Sequence, residues 1–105
     1  MQKKRSAPAP VDPVVHEGVR YEALQWGKSR DLGQNGGYVS AYDATFGKEL
    51  WLQKVYDVTY DGDMEDDKQD VFVTSLAISG NCLIIEDERG EHYSLDLKTR
   101  KVSKA

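Results

Sequence analysis

Slid against itself by 53 residues, the chain lays GYVSAYDATFGKEL (37–50) over GEHYSLDLKTRKVS (90–103). Gly37 meets Gly90, Tyr42 meets Leu95, Asp43 meets Asp96 and Lys48 meets Lys101. Both copies read strand, Asp, polar turn, Lys, returning strand. A repeat of this kind constrains the fold more than any single motif, because each copy is one supersecondary unit that must bury its apolar face against another. The Asp side chain can accept the backbone N–H groups of the turn that follows it. Gly47 can take positive φ where the chain leaves the first corner, whereas Arg100 occupies the equivalent place in the second, so that corner must differ or be strained. Trp51 supplies a large body for packing between layers.

The rest of the chain follows the same grammar. Residues 1–13 carry all three prolines and read as a disordered or polyproline-like leader, with order beginning near Val14. VRYEALQW (19–26) alternates with Val19, Tyr21 and Ala23 on one face. GKSRDLGQNGG (27–37) is a loop, and YVSAYD (38–43) the next strand. KELWLQKVYDV (48–58) puts Leu50, Leu52, Tyr56 and Val58 on one side and Trp51 and Val55 on the other, as in a strand covered on both faces or a central strand. VFVTSLAIS (71–79) sets Phe72, Leu76 and Ile78 against Val71, Val73 and Ala77. Gly80-Asn81 is a two-residue hairpin turn, CLIIED (82–87) runs back, and EHYSLDL (91–97) points Tyr93, Leu95 and Leu97 inward. Val102-Ser103 adds a short edge. The expected fold is mainly β: a leader over 1–13, then over 14–105 a single small antiparallel sheet or barrel-like domain of six to seven strands.

These motifs resemble the PQQ-like repeat of quinoprotein-type β-propellers. In that family a strand ends in Ala-x-Asp-Ala-x-Thr-Gly-Lys and the return strand carries a Trp. AYDATFGKELW (41–51) is similar, with Phe46 in place of the Thr. YSLDLKTRKV (93–102) lacks the glycine and the tryptophan, and 71–96 looks like the family's hairpin. The resemblance covers residues 37–102, little more than one blade, and implies blade-like architecture. The family's cofactor sits on the axis of a closed ring of about four to eight blades. One blade makes no such axis, so the resemblance does not carry quinoprotein dehydrogenase chemistry or a cofactor to this chain.

Charge narrows the partners. The net charge is -4, and an acidic chain repels phosphate backbones, which argues against nucleic acid. Lys3-Lys4-Arg5 is too short an exception to change that. The run 57–70 holds seven acids and Lys68, so the remainder of the chain is net basic. Read as an EF-hand from Asp61, it puts Asp66 where glycine is needed and Phe72 where a bidentate Glu is needed. A looser cation loop of Asp61, Asp63, Glu65, Asp66 and Asp67 is the remaining metal reading. His16 and His92 lack metal-ligand spacing. The lone Cys82 reads as a small buried hydrophobe. No Gly-x-Ser-x-Gly elbow, GxGxxG or Walker loop is present, and GQNGG (33–37) reads as a turn. No stretch approaches the roughly 20 apolar residues of a membrane span, so no membrane insertion is expected. An exported or periplasmic location is expected if a native signal preceded the leader.

The function these features favour is a non-catalytic β module binding another protein, a peptide or itself. Trp26, Tyr38 and Tyr60, which flank loops, are the expected contact residues, since Tyr and Trp are over-used in binding surfaces. A small-ligand or cation-binding module is the alternative, and a quinoprotein-type enzyme a more distant one.

Overall fold

The computed structural model describes residues 8–60 and 69–105. Among these residues eight strands form two four-stranded antiparallel sheets, each a simple meander. The first holds β1 (Val14–His16), β2 (Val19–Leu24), β3 (Tyr38–Asp43) and β4 (Glu49–Lys54) in that order. The second holds β5 (Val73–Ser79), β6 (Cys82–Asp87), β7 (His92–Asp96) and β8 (Val102–Lys104). The expectation of one sheet of six to seven strands is therefore corrected to two sheets of four, neither closed into a barrel. β-Alternation reports which face a residue takes, and it does not report where one sheet ends and the next begins.

The sheets share one apolar core. Tyr21, Val39 and Ala41 come from the first sheet, Val73, Leu83, Ile85, Tyr93 and Leu95 from the second, and Val55 and Tyr56 from the chain leaving β4. Leu83, Ile85 and Leu95 are wholly buried, and each contributes about 2 kcal/mol through the apolar surface it withdraws from water. Val11, in the stretch read as a leader, packs against this core, and Pro8 and Ala9 lie beside Phe72.

Two bulges override the period-2 reading. Between Val73 and Ser75 the β5–β6 register shifts, so Val73 joins Leu76 and Ile78 against the core instead of opposing them. Between Ala41 and Tyr42 the β3–β4 register shifts as well: Ala41 pairs with Trp51 and Tyr42 with Glu49, leaving Leu50 as the extra residue. By the sheet order β4 is an edge strand, with Leu50 48% exposed, and not the doubly covered or central strand that its sequence suggests. Cys82 is half-buried on the outer face of the second sheet, because Leu83 and Ile85 take the inward positions of β6.

Two glutamines use their amides in place of backbone, one of them between the sheets. Gln25, just past β2, donates from Nε2 to the Val73 carbonyl (2.7 Å) and accepts from the Val73 N–H at Oε1 (3.1 Å). Gln34, buried in the β2–β3 connection, donates to the Gly36 and Tyr56 carbonyls (2.8 Å each) and accepts from the Val58 N–H (2.9 Å). Such bonds satisfy backbone groups for which no strand partner is at hand.

Candidate interaction surface

The two Asp corners have the same backbone shape. In the first, the Asp43 carboxylate accepts the N–H groups of Thr45 (2.8 Å) and Phe46 (2.9 Å), Gly47 N–H donates to the Asp43 carbonyl (2.8 Å), and Asp43 N–H donates to the Lys48 carbonyl (2.8 Å). In the second, the Asp96 carboxylate accepts Lys98 (2.8 Å) and Thr99 (3.1 Å), Arg100 N–H donates to the Asp96 carbonyl (2.7 Å), and Asp96 N–H donates to the Lys101 carbonyl (2.9 Å). Gly47 takes φ 76° and Arg100 takes φ 61°. The second corner keeps the shape and carries the strain, since a side chain in the left-handed region costs roughly 1–2 kcal/mol.

The corners hold exposed side chains on a fixed frame. Phe46 stands at the tip of the first and is 86% exposed. Leu50 follows at the β4 bulge. Its neighbour Trp51 turns inward to Tyr21, ring centroids 5.9 Å apart, and Arg100 lies over the same indole at 5.1 Å. That stacking brings Arg100 of the second corner onto β4. Lys48, Lys98, Arg100 and Lys101 are all exposed. None of the four makes an ion pair among the described residues.

The carboxylates nearby are already engaged. Hydrogen bonds from the backbone N–H groups of Thr99 and Lys98 hold the Asp96 carboxyl below its ordinary range. Glu49 receives a two-pronged bond from Arg30 (2.8 and 3.0 Å) and a further bond from the Ser40 hydroxyl, and these lower its pKa too, Arg30 foremost.

The expected contact residues lie elsewhere and apart in character. Trp26 is 47% exposed and meets Phe72 edge-on at 5.2 Å. Tyr38 is 5% exposed, covered by Gly27 of the 3-10 turn Gly27–Arg30, so it offers no surface to a partner. Tyr60 is half-buried; its hydroxyl donates to Asp70 (2.6 Å), and Lys28 sits over its ring at 4.1 Å. Asp61, Asp63, Glu65, Asp66 and Asp67 lie outside the described residues. Among the described residues no group of three or more His, Cys, Asp or Glu is placed to hold a metal, and no helix is long and apolar enough to cross a membrane. Among the described residues, clefts of about 130 and 140 Å³ open on the surface, one lined by His16, Glu17, Tyr21 and Lys98 among others, another by Phe72 and Glu88 among others. Both fall below the roughly 300–1,000 Å³ usual for ligand pockets.

The Phe46–Leu50 surface is missed when contact residues are sought among Tyr and Trp next to loops. The signal was present: a phenylalanine at the tip of a corner whose other members are small or polar. No protein-family model matches the chain, and no curated protein matches it.

Proposed function

We propose that this chain is a non-catalytic β module that binds another protein or peptide through the Phe46–Leu50 surface. The observation that carries the reading is Phe46 itself, 86% exposed on a corner pinned by four hydrogen bonds. A large apolar side chain so displayed gains nothing from folding, and contiguous exposed apolar surface marks interaction sites. A rigid frame lowers the entropy lost when a partner orders against it. Each meander is further read as a blade of the PQQ-like kind, which makes two blades where the repeat alone suggested one; the matching Asp corners support this.

Replacing Phe46 with the photo-crosslinker benzoylphenylalanine tests the reading. A discrete adduct is expected from position 46 in extract of the source cell, none from the exposed position 75, and loss of the adduct when Leu50→Ser is added. Equal labelling from both positions defeats it.

A further inference from the structure

We infer that the partner at the Phe46–Leu50 surface is an acidic segment carrying an apolar anchor; this rests on the reading of that surface as a protein-binding one. The two corners, 43–48 and 96–101, hold four cations against Asp43 and Asp96, a net charge of +2 in a chain whose net charge is -4. Charge is therefore segregated, and this end is locally basic. The nearby acids are Glu17, which shares a cleft with Lys98, and three that are already engaged. Asp43 and Asp96 face into their corners and accept backbone N–H groups, and Glu49 is held by Arg30 and Ser40. Lys48, Arg100 and Lys101 are left to face an outside charge.

Arg100 strengthens the case. The first corner shows that glycine adopts this geometry without a Cβ penalty, yet the second places an arginine there at φ 61°. In that conformation its guanidinium lies over Trp51, so a cation is fixed on the strand that carries Leu50. A cationic rim around an apolar centre selects partners of opposite charge, speeds their encounter and makes binding salt-dependent. Phosphate backbones are disfavoured by comparison, because the patch supplies an apolar centre instead of a continuous basic track.

Fluorescence anisotropy with a labelled peptide, Glu-Asp-Leu-Phe-Glu-Asp-Leu-Glu, tests this against the same peptide with every acid replaced by lysine. The acidic peptide is expected to bind and the basic one not to bind, with affinity falling as salt shortens the screening length. Phe46→Ser is expected to weaken binding about tenfold, as loss of a central anchor does. Arg100→Gly is expected to weaken it about threefold, in keeping with one exposed charge pair. Phe46 is exposed and glycine suits the Arg100 backbone, so both variants should retain the wild-type circular dichroism spectrum and melting curve, which are recorded alongside. Binding of the basic peptide, binding of neither, or acidic binding indifferent to both substitutions overturns the inference. Should crosslinking from position 46 succeed while the acidic peptide fails, the protein-binding reading stands and the acidic assignment falls.

Discussion

Asp87 shows how much one residue can depend on partners that pattern does not reveal. Alternation marks it only as the end of CLIIED. In the fold it is 1% exposed and accepts from the N–H groups of Arg89 (2.8 Å) and Glu91 (3.1 Å), the Arg89 guanidinium (2.9 Å) and the Tyr93 hydroxyl (3.0 Å). Burial by itself would push its carboxyl up; the Arg89 guanidinium, the two backbone N–H groups and the Tyr93 hydroxyl together outweigh it and hold the carboxyl below the usual range. The same burial, with Asp87 close by, pushes the Tyr56 and Tyr93 hydroxyls up, and these two rings stack at 5.0 Å. A folded pKa below the unfolded value of about 3.9 gives stability that is complete above that value and is lost as pH falls through the folded one. Asp87→Asn should therefore cost about 2 kcal/mol at pH 7, less than for a fully enclosed pair because Arg89 is half exposed. Urea unfolding checks this: the gap between variant and wild type should be narrower at about pH 3 than at pH 7, because the wild-type carboxyl already takes up a proton in the unfolded chain there. A gap equally wide at both pH values would mean that packing, and not charge, makes Asp87 matter.

The hairpin corner is the element that the sequence renders best. Asp followed by small or polar residues and then Lys is legible because its bonds are local: the carboxylate reaches only two and three residues ahead. The bulges are less legible, since each depends on a neighbouring strand, and β1 is too short at three residues to show a period at all. The corners also allow a paired measurement. Gly47→Ala should cost about 1 kcal/mol although the added Cβ would meet nothing within 4 Å, because the penalty lies in the backbone at φ 76°. Arg100→Gly, at the equivalent place, should change stability by less than about 0.5 kcal/mol. Relief of left-handed strain is there offset by the lost stacking on Trp51 and by the greater freedom of glycine in the unfolded chain. Equal and large losses from both substitutions, read by urea unfolding, would show that the corners are not equivalent.

At the scale of the whole molecule the question is whether two sheets of four strands behave as one body. A sheet with a bare apolar face is not stable alone, and here the two inner faces cover each other, with Val55 and Tyr56 between strands adding to the core. This is why strand positions were legible while the division into two sheets was not: the same inward residues serve either arrangement, and the partition falls in the acidic stretch between β4 and β5, where periodicity is silent. The Gln25 amide is the test of unity, because it joins the end of β2 in one sheet to Val73 at the start of β5 in the other. Gln25→Ala would leave the N–H and carbonyl of Val73, a residue only 1% exposed, without that partner, and should cost about 1–3 kcal/mol. If the sheets open together, hydrogen exchange at Val39 and Ala41 in the first should speed up by the same factor as at Ile85 and Leu95 in the second, all of them core positions. Acceleration confined to the second sheet would mean that the glutamine holds one edge in place while the first sheet remains folded, and that the shared core is not a single cooperative unit.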